Sequence, residues 1–165
     1  MPQELTLFFV CRGCSNDSLP SALTVRGEAE MENVAYILKG LCVISENKAR
    51  PKLTKENTLL FTSPTKQEIR SAEIIAAKLG LEKEQVIDWL REENIFPQLC
   101  FHGLCDKNCL PLDPRIVNII VVTEKNTLQK ILQIFNAPPL HVESGSLWKI
   151  NLPVGNIVRL DNPPP

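Results

Sequence analysis

Cysteine and histidine are the residue types in this chain whose spacing suggests chemistry. The densest group lies in residues 100–109, which carry three thiols and one of the two histidines of the chain. Four such groups can form a tetrahedral zinc site. The spacing C-x-H-x-x-C-x-x-x-C is not that of a standard finger or ribbon, and buried cysteine often packs as a small apolar residue. A metal site and plain packing therefore both stay open for Cys100, His102, Cys105 and Cys109.

A second pair, Cys11 and Cys14, forms a C-x-x-C motif between a predicted strand and a predicted helix. This position is typical of redox-active thiols, and a neighbouring cation such as Arg12 is expected to lower a thiol pKa. The rest of the chain shows no thioredoxin pattern. A cysteine-based redox function is therefore an alternative, not the main prediction.

The composition of the 165 residues limits the possible partners. The chain is 44% hydrophobic and 22% charged, with a formal net charge of −1 and no run of lysine or arginine. A nucleic-acid surface or an anionic-membrane surface is therefore not expected. No stretch approaches the ~20 apolar residues of a membrane span, and the first residues do not resemble an export signal. We therefore expect a soluble, cytoplasmic protein whose six cysteines are reduced.

Short apolar runs alternate with segments of helical periodicity, which favours an α/β domain with a mostly parallel sheet. Thr24 is a suitable N-cap for the first helix, and Gly80 is a suitable stop for the second. The last two strands flank Pro153-Val154-Gly155, as in a hairpin. The predicted strands are 5–10, 58–62, 85–89, 117–123, 146–151 and 156–160, and the predicted helices are 24–42, 66–79 and 125–136.

The length predicts a single domain over residues 1–161, followed by a proline-rich tail at 162–165. Acidic residues at positions 28, 30 and 32 are expected to form a solvated helix face. In open α/β sheets, ligands bind at the carboxyl ends of the strands. That rule points to three loops, at residues 11–20, 63–67 and 124–127.

These loops resemble those of the histidine phosphatases, the phosphoglycerate-mutase-like superfamily. Residues 8–15 (Phe-Phe-Val-Cys-Arg-Gly-Cys-Ser) are similar to its first strand and Arg-His-Gly-x-Ser/Thr loop. Residues 23–27 (Leu-Thr-Val-Arg-Gly) resemble its Leu-Thr-x-x-Gly. Residues 62–64 (Thr-Ser-Pro) and 71–76 (Ser-Ala-Glu-Ile-Ile-Ala) resemble its Ser-Ser-Pro and Thr-Ala-Glu-Ile-Ile-Ala.

Two further segments continue the resemblance, which runs in order from residue 5 to about residue 135. Residues 90–92 (Leu-Arg-Glu) resemble Leu-x-Glu, whose glutamate is the usual acid, and residues 121–123 (Val-Val-Thr) resemble the strand before the second His-Gly. The resemblance implies a three-layer α/β sandwich. Its mostly parallel central sheet is flanked by helices, with a shortened insertion before the fourth strand.

The resemblance also implies a histidine nucleophile, and the sequence departs from the family at that position and at others. The nucleophilic histidine falls on Arg12, and the second catalytic histidine falls on Glu124. Cys11 and Gln67 replace two phosphate-binding arginines, and Lys125 replaces the glycine after the second histidine. The family pocket residues that remain are Gly13, Ser15 and Glu92.

A guanidinium stays protonated and cannot act as a nucleophile, and Glu124 would repel a phosphate dianion. We therefore predict a catalytically inactive histidine-phosphatase-like protein that needs no cofactor. Its role would be binding, scaffolding or regulation, with an unknown protein or small-molecule partner. The alternatives are a cysteine-based metal or redox protein on the same fold, a divergent phosphatase, and a filled pocket with the function on another surface.

Arg12 and Glu124 carry opposite charges at the ends of two strands that are expected to be neighbours. A lone charge in a semi-buried cleft is costly, so the two are predicted to form a salt bridge. Gln67 is expected to bond to one of the two.

Overall fold

The computed structural model describes residues 5–16, 23–44, 53–63, 65–81, 85–86, 115–134, 142–152 and 156–161. These residues form six strands and three helices, which alternate along most of the chain. In chain order they are β1 (Leu5–Cys11), α1 (Val25–Ile44), β2 (Thr58–Thr62), α2 (Lys66–Leu79), β3 (Gln85–Val86), β4 (Asn118–Thr123), α3 (Lys125–Ile134), β5 (Leu147–Leu152) and β6 (Asn156–Arg159).

The six strands form one sheet in the order β3-β2-β4-β1-β5-β6. The first four of these strands are parallel, while β5 runs antiparallel to β1 and β6 antiparallel to β5. The predicted adjacency of β1, β2 and β4 is confirmed, and β1 lies inside the sheet. Cys11 pairs with Thr123 and Thr62 pairs with Val122. The carboxyl ends of these three strands therefore lie side by side.

Strand β4 is buried along its whole length because helices cover both faces of the sheet. Ile119 and Val121 belong to one hydrophobic core, which includes the buried residues of α3. Ile120 and Val122 belong to the other core, with the buried residues of α1 and α2. The uninterrupted apolar run of β4 is typical of a parallel strand with two buried faces. The predicted three-layer architecture is thus confirmed.

The ends of the first two helices are set by the residues that the sequence indicated. The hydroxyl of Thr24 accepts a hydrogen bond from the backbone N–H of Gly27 at 3.0 Å, which caps α1. Gly80 ends α2 in the left-handed conformation, with φ of 67°, and its N–H donates to the carbonyl of Ala76. A side chain is disfavoured at this φ, whereas glycine adopts it freely.

The other boundaries agree with the predictions to within a few residues. The hairpin of β5 and β6 is present, and the residues of its turn, 153–155, lie outside the described ranges. The segment 87–114, which holds the predicted shortened insertion, also lies outside them, as does the tail. Among the described helices, none has the length and apolar character needed to cross a membrane.

Candidate functional site

The candidate site lies where β1, β2 and β4 end, and hydrogen bonds join the three ends directly. The N–H of Arg12 donates to the carbonyl of Thr123 at 2.9 Å, and the N–H of Ser63 donates to Val122 at 3.3 Å. The hydroxyls of Ser63 and Thr123 lie 3.2 Å apart and share a hydrogen bond in a buried position. The parallel order of the strands therefore brings together the three loops that the sequence singled out.

Arg12 is the cation of this edge, and its partner is not the predicted one. Its Nη1 donates to the hydroxyl of Ser15 at 2.6 Å, and its Nε lies 3.5 Å from Oε1 of Glu68. The Glu68 side chain is 3% exposed, against 28% for Arg12. The predicted Arg12–Glu124 salt bridge is wrong, because an acidic residue in the first turn of α2 takes the place of Glu124.

Glu124 faces solvent because it immediately precedes helix α3. Its carbonyl accepts the N–H of Leu128 at 2.9 Å, and its carboxylate accepts the hydroxyl hydrogen bond of Thr127 at 3.3 Å. The carbonyl contact is that of an N-cap residue, whereas the carboxylate bonds to a side-chain hydroxyl of the first turn. The carboxylate is therefore held against its own helix, and the adjacent Lys125 is also exposed.

Glu68 is the main site residue that the sequence reasoning missed. It is buried together with Ser71, Ala72 and Ile75, which follow it at intervals of three, four and seven residues. This spacing defines one face of a helix, so the apolar pattern of α2 placed Glu68 on the inner face. A charge on an apolar helix face was the signal that could have identified it.

Gln67 contributes its backbone to the site. Its carbonyl accepts a hydrogen bond from the Ser71 hydroxyl at 2.8 Å, and the hydroxyl oxygen in turn accepts the N–H of Gly13 at 3.1 Å. Ser71 therefore ties the loop after β1 to helix α2. The predicted bond from the Gln67 side chain to Arg12 or Glu124 is not formed.

The loop after β1 lies directly on the first turn of α1. A Cβ atom on Gly13 would lie 2.9 Å from the backbone carbon of Gly27, and one on Gly27 would lie 2.8 Å from the backbone nitrogen of Cys14. Real Cβ atoms essentially never approach backbone so closely, and both glycines are therefore required by this contact.

All backbone N–H groups of residues 11–14 donate hydrogen bonds within the protein. A loop that binds an oxyanion through its backbone needs N–H groups directed at the ligand. Here the N–H of Cys11 donates to the Ser146 carbonyl, and the N–H of Arg12 donates to the Thr123 carbonyl. The N–H of Gly13 donates to the Ser71 hydroxyl, and the N–H of Cys14 donates to the Glu30 carboxylate.

Glu30 is not the solvated residue that the sequence predicted. Its Oε1 accepts the N–H of Cys14 at 2.9 Å, and its Oε2 accepts the hydroxyl of Ser144 at 2.9 Å. The side chain is 19% exposed and connects the loop after β1 with the turn before β5. Glu28, two residues earlier, forms an ion pair of 2.8 Å with Arg70 of α2. The acidic stretch therefore makes tertiary contacts as well as facing solvent.

The two cysteines of the C-x-x-C motif are free thiols in different environments. Burial raises the pKa of Cys11 from 9.0 to about 12, and this effect exceeds the opposing charge of Arg12. Cys14 is partly exposed. Desolvation is the largest effect on the Cys11 pKa; Arg12 lowers this pKa, as expected, but by less than burial raises it. A thiol that stays protonated is a poor nucleophile.

The remaining predicted site residues lie outside the described ranges. These are Glu92 and the candidate metal ligands Cys100, His102, Cys105 and Cys109. In the part of the chain that the structure describes, no three histidine, cysteine, aspartate or glutamate side chains are grouped as a metal site requires.

No protein-family model matches the sequence, and no curated protein matches it. Solved structures do match it. The protein histidine phosphatase SixA, in complex with tungstate, has a TM-score of 0.67 at 16% identity, with 94% of each chain covered. The phosphoglycerate mutase of Plasmodium falciparum has a TM-score of 0.59 at 14% identity, with 96% of this chain and 89% of that chain covered. The phosphoglycerate mutase of Bacillus anthracis has a TM-score of 0.56 at 13% identity, with 95% of this chain and 92% of that chain covered.

The chain has the histidine-phosphatase fold. The match covers almost the whole of both chains, so the fold likeness extends well beyond the central sheet. At these identities the likeness shows the fold alone, since one fold serves many functions. The function of this chain depends on the residues at the ends of its strands.

Proposed function

We propose that the protein is a catalytically inactive histidine-phosphatase-like protein with a binding, scaffolding or regulatory role. The observation that carries this proposal is the pair of side chains at the ends of β1 and β4. One is the guanidinium of Arg12, which stays protonated and cannot attack phosphorus. The other is the carboxylate of Glu124, which is exposed and bonded to Thr127 of its own helix.

The other polar groups of the described strand ends also support inactivity. Cys11 is buried and its raised pKa keeps the thiol protonated. The hydroxyls of Ser63 and Thr123 bond to one another. A hydroxyl nucleophile needs an adjacent base, and neither of these hydroxyls hydrogen-bonds to one among the described residues. Cys11, Ser63 and Thr123 are therefore unsuited to covalent phosphoryl transfer at this edge of the sheet.

We further propose a reducing, cytoplasmic location for the protein. The free thiols of Cys11 and Cys14 support it, because paired cysteines in oxidising compartments usually form disulfides.

The inactivity is tested with the purified protein, para-nitrophenyl phosphate and a phosphohistidine-containing protein. The expected rate of phosphate release equals the rate without protein, and no phosphorylated intermediate is trapped by acid quenching. The control proteins are Arg12→Ala and Glu124→Ala, which remove the two side chains at the family's histidine positions. Hydrolysis that either substitution abolishes would contradict the proposal and would favour a divergent phosphatase. Hydrolysis that both variants retain would indicate a contaminating enzyme.

A further inference from the structure

Arg12 already has an anionic partner inside the protein. Its Nε lies 3.5 Å from Oε1 of Glu68, while its Nη1 donates to the Ser15 hydroxyl at 2.6 Å. The carboxylate is the more deeply buried partner, with 3% of its side chain exposed against 28% for the guanidinium. A buried carboxylate needs a compensating charge, and Arg12 supplies one.

We propose that the Glu68 carboxylate is an internal anion that occupies the Arg12 site and excludes external oxyanions. A carboxylate and a tetrahedral oxyanion use the same N–H donors of a guanidinium, so the two compete for Arg12. Glu68 is held by the backbone of α2 and loses little freedom when it pairs, whereas a free oxyanion must give up its translational freedom. The inference rests on the proposed inactivity, because a protein that transfers no phosphoryl group can keep a carboxylate in this position.

The position of Glu68 in its helix strengthens the competition. The residue lies in the first turn of α2, where the partial positive charge of a helix N-terminus favours a negative side chain. Glu68 thus meets two positive features of the strand edge, the guanidinium and the helix terminus. The N–H groups of residues 11–14 donate elsewhere in the protein, so they do not offer an oxyanion a substitute for Arg12.

The experiment is a calorimetric titration of sodium tungstate into the full-length protein and into Glu68→Gln. We expect no saturable binding by the wild type at millimolar tungstate. The Glu68→Gln variant should bind tungstate with a dissociation constant at least about tenfold below the millimolar concentration at which the wild type shows no binding. The reason is that the substitution removes a negative charge that repels tungstate beside the guanidinium. Adding Arg12→Ala to Glu68→Gln should abolish the gain. Glu124→Gln is the matched control, since it removes an exposed carboxylate of the same edge and should leave tungstate binding close to that of the wild type.

Two results overturn the proposal. One is saturable binding by the wild type that Arg12→Ala abolishes. The other is a Glu68→Gln protein that is folded, as judged by circular dichroism, and binds no tungstate.

If Glu68→Gln does not fold, the Glu68→Asp variant tests the proposal instead. Its carboxylate is withdrawn by one methylene, so tungstate affinity should rise above that of the wild type, and an unchanged affinity overturns the proposal. Phosphate release is measured on the same proteins: hydrolysis by the wild type counts against the proposed inactivity, whereas the tungstate titrations decide the role of Glu68.

Discussion

Arg12 and Glu68 form the charge pair on which the strand edge depends. Replacing Arg12 by alanine leaves the buried carboxylate without the guanidinium that faces it. Breaking a buried pair from one side costs about 3–5 kcal/mol, and we expect the lower end because Arg12 is partly exposed. The measurement is the free energy of unfolding from urea denaturation followed by circular dichroism.

The control for this prediction is Arg26→Ala, because Arg26 also faces a glutamate but lies at the surface. Its side chain is 79% exposed, and its Nε lies 3.9 Å from Glu30. An exposed ion pair contributes little, so the free energy of unfolding should change by less than about 1 kcal/mol. Equal losses in Arg12→Ala and Arg26→Ala would mean that Glu68 does not depend on Arg12.

Cys11 gives the protein a specific loss of stability in alkaline solution. Burial raises its pKa from 9.0 to about 12 in the folded state, so the unfolded chain releases the proton first. The stabilising effect of the protonated thiol is complete below pH 9 and is lost as the pH rises towards 12. Between these values, Cys11 should lower the free energy of unfolding by up to about 1.4 kcal/mol per pH unit.

Urea denaturation at several alkaline pH values tests the Cys11 prediction, with Cys11→Ala as the reference. Because alkaline pH affects the stability of both proteins, the informative quantity is the difference in slope between them. The wild type should lose stability more steeply with pH than Cys11→Ala. Parallel slopes would show that the thiol ionises equally in the folded and unfolded states.

The sequence predicted which residues adjoin the strand ends, but not how they pair. Arg12, Gly13 and Ser15 follow β1, and Gln67 lies in the first turn of α2, while their membership of a functional site stays a prediction. The partner of Arg12 was missed because it depends on which turn of α2 faces the strand ends, a property of tertiary packing. The position of Glu68 on the apolar face of α2 carried that information, but family motifs do not include it.

The contact between α1 and the loop after β1 requires two glycines, and one substitution tests it. In Gly27→Ala the added Cβ would collide with the backbone of Cys14, which cannot move without breaking its hydrogen bond to Glu30. We expect the free energy of unfolding to fall by at least about 1–3 kcal/mol, the usual cost of overpacking a core. Thermal and urea denaturation measure it.

Gly40→Ala is the matched control on the same helix. Among the described residues, a Cβ at this position would meet no atom within 4 Å apart from those of its chain neighbours and its own helix backbone. Alanine in a helix interior is favoured over glycine by about 0.5–1 kcal/mol, so this variant should be at least as stable as the wild type. A similar loss in both variants would mean that the destabilisation of Gly27→Ala has another cause than the contact with Cys14.

The elements themselves were predictable because each carries a strong local signal. The apolar run of β4 is buried on both faces, whereas β2 is buried on one face and partly buried on the other. Strand β3 is described over Gln85–Val86, within the predicted range 85–89, and residues 87–89 lie outside the described ranges. The contacts of Glu30 were not predictable, because the sequence does not show which of the acidic residues of α1 faces the loop after β1.

At the scale of the whole molecule, the described residues form two hydrophobic cores that share one sheet. One core contains Trp148 and the buried residues of α3, and the other contains the buried residues of α1 and α2. Successive residues of β4 point to opposite faces, so adjacent positions belong to different cores. β4 lies between β1 and β2 and contributes to both cores, so loss of either core would expose one face of the central strands. We therefore expect the two cores to unfold together.

Substitutions at two neighbouring residues of β4 test this coupling. Ile119 and Ile120 are both fully buried, one in each core, so Ile119→Ala and Ile120→Ala remove the same groups from opposite faces of the sheet. Each should lower the free energy of unfolding by about 2–5 kcal/mol, the usual cost of truncating a buried isoleucine to alanine. In both variants, tryptophan fluorescence and far-UV circular dichroism should report the same urea midpoint, as in a two-state transition.

The control is Val158→Ala, at a half-exposed position of β6, which should change the free energy of unfolding by no more than about 0.5 kcal/mol. A variant in which the two signals separate would show that the sheet permits one core to melt before the other.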